Sequence, residues 1–294
     1  MPRHFLTGEE LEREELLALI DRASKLKSAR EEGEGADALA RRSVALVFQR
    51  PSTRTRISFE VGVAELGGTP LVLRADELQL SRGESVADTG RVLSRFLHAI
   101  AIRSGSHEEV EELAGASDVP VINALTPLHH PCQALADLLT LHERFGSLEG
   151  LKLAYLGDGN NVARSLAILG RTAGVEVVIA APEGYRLEDD LADQTDDPRA
   201  AVEGADALYT DVWVSMGDDD ESDQRHNVLA PFQLNQDLLA AASDRAIVMH
   251  CLPAHPGEEI TEDVLYGERS AVWDQAENRL HAQKALLELL VGGS

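Results

Sequence analysis

Val44-Ala45-Leu46-Val47-Phe48-Gln49-Arg50-Pro51-Ser52-Thr53-Arg54-Thr55-Arg56 is the stretch on which the fold turns. Val44 to Phe48 is a short apolar run, which reads as a strand buried on both faces. Gln49-Arg50-Pro51 is a turn, and a helix begins around Ser52 and runs to about Leu66, where Gly67-Gly68 ends it. A helix N-terminus offers free backbone N–H groups and the positive end of its dipole. One serine hydroxyl, two threonine hydroxyls and two guanidinium groups sit beside it, and the planar fork of arginine matches phosphate oxygens. This is an anion site built from side chains, without the glycine-rich loop of nucleotide binders. The plain alternative is a capped helix with solvent-facing arginines, and five such residues at one strand-to-helix turn weigh against it.

The same alternation continues outward in both directions. Leu71 to Leu73, Ala99 to Ile102, Val119 to Asn123, Leu151 to Leu156, Val175 to Ala180, Ala207 to Tyr209 and Ile247 to Met249 read as strands. Helices fall between them at Gln133 to Arg144 and Val162 to Ala173, and a closing helix spans Gln275 to Leu290. Strands alternating with helices define an α/β fold with largely parallel sheets. Thr7 to Glu10 reads as a T-x-x-E capping box opening the first helix, and the polar stretch Gly217 to Asn227 reads as a mobile surface loop. The expected domains are residues 1–134 with the C-terminal helix 277–294, and residues 135–276, the boundary lying on the helix near 134–146.

At 294 residues the chain is long for one core and comfortable for two domains. No apolar run approaches a membrane span, and Met1 to Leu11 lacks the basic flank and apolar stretch of a signal peptide, so the expected location is the cytoplasm. Cys132 and Cys251 are the only cysteines and cannot form a disulfide framework, which agrees with a reducing compartment. Net charge is −24, from 51 acidic against 27 basic residues, and nucleic acid is disfavoured as a partner. Lysine is confined to Lys25, Lys27, Lys152 and Lys284. Self-repulsion on this scale strains a compact fold, but at about 1 M salt the Debye length is roughly 3 Å and the repulsion is screened. Adaptation to a very salty cytosol is therefore expected; ordinary acidity for solubility does not explain the scarcity of lysine.

Four further motifs carry chemistry. His129-His130-Pro131-Cys132-Gln133 precedes a helix. A metal site would have to enlist the distant His250 and Cys251, at spacings unlike those of paired metal ligands; His129 could equally be a loop residue that caps the helix. Gly157-Asp158-Gly159-Asn160-Asn161 follows a strand and opens a helix. A dinucleotide fold is its rival reading, but the third glycine is missing, and so is an acidic residue at the end of the next strand, Ile179-Ala180-Ala181-Pro182. Asp211-Val212-Trp213-Val214-Ser215-Met216-Gly217 is a strand end running into a loop, and His250-Cys251-Leu252-Pro253-Ala254 follows another strand.

Together these motifs resemble, in order and over nearly the whole chain, those of the aspartate/ornithine carbamoyltransferase family. Ser52 to Arg56 looks like its S-T-R-T-R carbamoyl phosphate signature, with Phe48 and Ser58-Phe59-Glu60 also matching, and His130 to Gln133 looks like its H-P-x-Q. Asn160-Asn161, the D-x-W-x-S-M-G run from Asp211 and the H-C-L-P run from His250 are similar to the ornithine enzymes of the family. The aspartate enzymes instead need cations near Asp211 for a second carboxylate, and carry a proline-rich segment at H-C-L-P. Gln49-Arg50 departs from the family's more usual acidic-basic pair, and Arg82 stands where some relatives have lysine.

The resemblance implies two α/β domains with the active site in the cleft between them, the first binding carbamoyl phosphate and the second ornithine. Ser52, Thr53, Arg54, Thr55, Arg56 and Arg103 would hold the phosphate, and Arg279 would reach back to the first domain. His130 and Gln133, with Pro131 and Cys132 between them, would meet the carbamoyl group, as would the backbone carbonyls of Cys251 and Leu252. Aimed donors there stabilise the negative charge that develops on the carbonyl oxygen. Asn161, Asp211, Ser215 and Met216 would contact ornithine; Asp211 and Cys251 would orient the amine and help remove its proton. Arg54, Arg103, His130, Asp211 and Cys251 form the expected catalytic set. Gln79, also expected to bind carbamoyl phosphate, lies in a loop that, in the family, crosses into the neighbouring subunit's site, which implies a homotrimer or a multiple of trimers. No metal or cofactor is required, because arginines neutralise the charge and the donor is a mixed anhydride already activated. Three other readings stay open: another amine acceptor, a nicotinamide-dependent oxidoreductase binding at Gly157 to Asn161, and a non-catalytic subunit, which would have lost a polar site residue.

Overall fold

The structure is a computed structural model that describes residues 2–74, 77–78, 83–187, 190–214 and 222–292. The chain divides into two compact units, Met1–Leu139 with Glu277–Ser294, and Thr140–Ala276. In the first unit, α1 is Arg13–Glu31, β1 Ser43–Phe48, α2 Thr53–Glu65, β2 Thr69–Arg74, α3 Val86–Leu93, β3 Ala99–Arg103, α4 His107–Ala116 and β4 Val121–Leu125. Helix α5, Pro131–Phe145, runs across the boundary after Leu139. The second unit has β5 Lys152–Leu156, α6 Asn161–Ala173, β6 Glu176–Ala180, β7 Asp193–Thr195, α7 Pro198–Val202 and β8 Ala207–Thr210. It continues with α8 Ser222–Leu229, α9 Gln236–Ala241, β9 Ile247–His250, α10 Glu262–Leu265 and the start of α11, Val272–Val291.

Both sheets are parallel, in the orders β2-β1-β3-β4 and β7-β6-β5-β8-β9. The α/β architecture expected from the alternating pattern is the one observed. In each sheet the strand order reverses once, between β1 and β3 and between β5 and β8. Connections leave such a point on opposite sides, which opens a crevice at the carboxyl ends of the strands. Phe48 and Arg103 are register partners at the first of these points, Leu156 and Thr210 at the second. The core of the first unit packs Ala45, Val47, Ile100 and Ile102 of its sheet against Val110 and Leu113 of α4. Each of the larger of these side chains contributes about 2 kcal/mol on burial.

Three local readings change. The Thr7–Glu10 box closes a turn and does not open α1, which starts at Arg13. Glu10 accepts backbone N–H bonds from Leu6, Thr7 and Gly8, while the Thr7 hydroxyl accepts from Glu9, so the chain bends before the helix. Within the stretch read as a loop, residues from Ser222 onward are helical in α8; residues 217–221 lie outside the described ones. That helix has no apolar stripe to betray it. It is held by polar contacts of Arg225, which donates to the Trp213 carbonyl at 2.8 Å, pairs with Asp158 and lies over the Tyr185 ring. Helices α3, α4, α7, α9 and α10 and strand β7 are additions to the sequence reading, although Ser85 and Ser106 cap α3 and α4 by accepting from the amides of Asp88 and Glu109.

His281 on α11 is fully buried. Burial first, then Lys284, Lys27 and Arg30, lower its pKa from 6.5 to about 4. The unfolded chain takes up a proton near pH 6.5 that the folded chain refuses until about pH 4, so stability is lost as pH falls through that window. The loss attributable to this residue is about 3 kcal/mol. Replacing it, as in His281→Leu, is expected to flatten the difference in unfolding free energy measured at about pH 7 and about pH 4; an unchanged slope would refute the assignment.

Candidate active site

The first unit gathers cations around one histidine. Arg54 lies in the first turn of α2, which contains no acidic residue. At its N-cap, Ser52 makes no side-chain cap bond, so its hydroxyl is not spent on closing the helix. Arg103 ends β3, and Arg279 comes from α11, where it donates to the Thr55 hydroxyl oxygen at 2.5 Å. That bond fixes the Thr55 oxygen as an acceptor towards Arg279 and leaves its hydrogen to be donated elsewhere. His130, buried and directly before α5, is driven well below the usual histidine pKa, by burial first and then by Arg279, Arg103 and Arg54. It is therefore a neutral imidazole at physiological pH, with one N–H to donate.

The remaining residues of these two motifs divide by role. Pro131 is the first residue of α5. Gln133 is buried in the same turn and donates to Asp137 at 2.8 Å. Arg56 is not drawn toward His130; it is half exposed and pairs with Glu60 at 3.0 Å along α2. Cys132 is wholly buried, its thiol donating to the Asn123 carbonyl at 3.4 Å and its pKa pushed up to about 12 by burial, so it packs and does not react. His129 braces the turn before α5: its N–H donates to the Thr126 hydroxyl at 3.1 Å, and its ring packs against His107.

One contributor was not singled out from the sequence as a site residue. Gln49 receives hydrogen bonds on its side-chain oxygen from Ser104 (2.8 Å) and from the Gly105 N–H (3.1 Å), and its amide donates to Glu109 at 2.9 Å. Its backbone N–H donates to the Arg103 carbonyl at 3.0 Å. The neutral residue that departs from the usual pattern thus ties the end of β1 to the segment that carries Arg103. A brace between two strand ends leaves no periodic trace in a sequence.

The second unit centres on Asp211, just past the end of β8 and buried. Burial raises its carboxyl pKa, opposed by His250, whose Nδ1 lies 4.0 Å away, by the Val212 backbone and by Asn160. Asn160 donates to Asp211 at 3.1 Å, while its oxygen accepts from the N–H groups of Val162 and Ala163, capping α6, and from the Tyr155 hydroxyl. Of the paired asparagines, Asn160 is thus the structural one, and Asn161 is the first residue of α6.

His250 organises the next loop. Its Nδ1 accepts from the Leu252 N–H at 2.8 Å, so its Nε2 carries the hydrogen donated to buried Glu259 at 3.0 Å. Leu252 sits at φ 61°, in the left-handed region that non-glycine residues rarely enter. That conformation shapes the backbone beside Cys251, which is half-buried. Gly159 serves close packing within the chain. A Cβ there would come within 2.8 Å of the Tyr185 carbonyl and 2.9 Å of the Leu187 nitrogen, so the second glycine of the G-x-G is accounted for without a dinucleotide. Gln79, Ser215 and Met216 lie outside the described residues.

Residues 3–143 match the carbamoyl-P binding domain of the aspartate/ornithine carbamoyltransferases, and residues 149–290 match the Asp/Orn binding domain of the same proteins. The chain belongs to the aspartate/ornithine carbamoyltransferase family. It is 52% identical to the ornithine carbamoyltransferase of Acidothermus cellulolyticus, covering 99% of this chain and 97% of that one. It is 48% identical to a Pyrococcus furiosus protein named as an anabolic ornithine carbamoyltransferase, over 99% and 97% of the two chains. The solved ornithine carbamoyltransferase of Pyrococcus furiosus superimposes with a TM-score of 0.96 at 47% identity, over 100% and 98% of the chains. That of Thermus thermophilus does so with 0.91 at 42%, over 99% of each.

Proposed function

We propose that the chain transfers the carbamoyl group of carbamoyl phosphate to the side-chain amine of L-ornithine, giving L-citrulline and phosphate. The observation that carries this reading is the convergence of Arg54, Arg103 and Arg279 on a buried histidine held neutral. Such a site suits a multiply charged phosphate whose neighbouring carbonyl must be polarised. Arg54, Arg103 and the threonines hold the phosphate. His130 and Thr55 donate to the carbonyl oxygen as the neutral amine attacks; the new C–N bond forms, the tetrahedral species collapses, the C–O bond to phosphate breaks, and the departing phosphate takes up the proton that the amine loses. Asp211 pairs with the α-ammonium group of the acceptor, and Asn161, Ser215 and Met216 complete the contacts with the amino acid. Cys251 and Leu252 face the carbamoyl group and the reacting amine. The relatives' shared name and the D-x-W-x-S-M-G run, which puts a carboxylate where a second substrate carboxylate would need a cation, support ornithine as the acceptor.

The direct test is citrulline formation with ornithine, aspartate and putrescine offered as competing acceptors. Product from ornithine alone supports the reading; carbamoyl transfer to another amine, or none, overturns it.

Self-association as a trimer or a multiple of trimers belongs to the same proposal. It is supported by the outward-facing apolar side chains Ile57, Val92 and Phe96, the last 70% exposed. A monomeric mass in solution would refute it. The paucity of cysteine supports a cytoplasmic location. Among the described residues, no helix is long and apolar enough to cross a membrane. The net charge of −24 supports a salt-adapted chain. Its kcat/KM is expected to rise at least roughly fivefold between about 0.1 M and about 2 M potassium chloride. Full activity in dilute buffer would remove that part of the reading.

A further inference from the structure

Gln133 and Asp137 lie one turn apart on α5, and both are almost wholly buried. The Gln133 amide nitrogen donates to Asp137 Oδ1 at 2.8 Å. The Gln133 oxygen, also buried, accepts no hydrogen bond from any described residue. A buried acceptor without a donor is destabilising, so its survival in the first turn of α5, beside His130, points to a donor that arrives with a ligand. A carboxylate can only accept. Asp137 therefore fixes which end of the amide carries the NH2 group, and the carbonyl oxygen is the end left without a donor among the described residues.

The donor molecule gives this orientation a purpose. Carbamoyl phosphate differs from acetyl phosphate by an NH2 group in place of a methyl group of nearly the same size. Shape cannot separate the two, but an acceptor aimed at that position can, because only the carbamoyl group has an N–H to give. A site built around such a hydrogen bond rejects the analogue that lacks it far more strongly than a pocket sorting by size. With the amide turned the other way, two NH2 groups would face each other.

We propose that Asp137 is a positioning residue that locks Gln133 with its carbonyl oxygen presented to the donor's N–H, and so makes the site selective for carbamoyl over other acyl phosphates. This rests on the reading of the first unit as the carbamoyl phosphate site. Asp137→Asn keeps the shape but can donate to the Gln133 oxygen, which frees the amide to turn. The double variant Gln133→Glu/Asp137→Asn restores an acceptor by another route. The NH2 group introduced by Asp137→Asn holds one oxygen of the new carboxylate, and the other oxygen faces the ligand.

The experiment measures kcat/KM for carbamoyl phosphate alongside the inhibition constants of acetyl phosphate and inorganic phosphate, in the full-length wild type and both variants. In D137N, kcat/KM for carbamoyl phosphate is expected to fall about 10- to 100-fold, while the two inhibition constants stay within about twofold, since neither ligand uses the acceptor. The double variant should recover most of the preference for carbamoyl phosphate. Parallel weakening of all three ligands, or an unchanged carbamoyl-to-acetyl preference, would overturn the proposal and leave Asp137 a purely structural residue. If D137N does not fold, the double variant decides alone: preference retained supports the proposal, preference lost overturns it. A wild type that makes no citrulline would refute instead the reading on which the proposal rests.

Discussion

Arg54→Ala is expected to lower kcat/KM for carbamoyl phosphate by roughly 10³-fold or more, while the Tm moves by only a few degrees. Arg54 lies at the start of α2, where the helix dipole and free N–H groups already favour an anion and where no acidic side chain in the first turn competes for the guanidinium. Removing it takes away a forked donor that no neighbour can replace. Arg103 and Arg279 are committed to their own positions at the end of β3 and on α11. The loss should appear in kcat as well as KM, because charge builds on the phosphate as it departs. Arg54→Lys should recover little, since an ammonium group lacks the planar fork. Near-normal kcat/KM in Arg54→Ala, measured by steady-state citrulline formation, would remove the phosphate site from the first unit. The contrasting control is Arg56→Ala. Its guanidinium is paired with Glu60 on the outer side of α2, so its effect on turnover should be far smaller.

The second large effect is expected at Asp211. Asp211→Asn should cost roughly 10²–10³-fold in kcat/KM for ornithine, the scale of breaking a buried ion pair by neutralising one partner. Carbamoyl phosphate binding should stay nearly unchanged, because the donor groups belong to the first unit. The substituted side chain can still accept from Asn160, so the cap of α6 and the Tyr155 contact are preserved, and the change isolates the charge. Binding of ornithine by calorimetry separates the outcomes. Loss of ornithine affinity with an intact fold supports an ammonium-binding carboxylate; equal weakening of both substrates would mean that Asp211 only holds the loop together.

Much of the fold could be read from the chain because its signals are local. Among the described residues, eight of the nine parallel strands announce themselves as short apolar runs, since a strand covered on both faces has no polar side to show; the polar edge strand β7, Asp193–Thr195, gives no such signal. Helices α5 and α6 appear as periodic apolar faces, whereas α2 is marked by the Gln49-Arg50-Pro51 turn before it and Gly67-Gly68 after it. Ser52-Thr53-Arg54-Thr55-Arg56 and His130-Pro131-Cys132-Gln133 keep their order and residue types because a helix N-terminus and its flanking turn are built from consecutive residues. Helix α8 leaves no such signal because its first six residues are polar, only Val228 and Leu229 being apolar, and it rests on Arg225; the Thr7–Glu10 box misleads because Glu10 takes three backbone N–H groups instead of one.

The sequence by itself determined the residue types at each strand end, the anion-seeking character of the α2 turn and the acidity of the whole surface. These follow from side-chain chemistry and local periodicity, which a linear chain carries intact. Only the tertiary structure decided which of those groups meet. It brought Arg279 from the last helix onto Thr55, buried His130, under the influence of Arg279, Arg103 and Arg54, so that it stays neutral, left Arg56 exposed and paired with Glu60, and sealed Cys132 into the core. It also assigned Asn160 to Asp211, Gln49 to the Arg103 segment and Asp137 to the amide of Gln133. The physical reason is distance: most of these pairings join residues far apart in the chain, 51 positions for Asn160 and Asp211 and 224 for Thr55 and Arg279. Burial, which sets their charge states, exists only once each unit has folded.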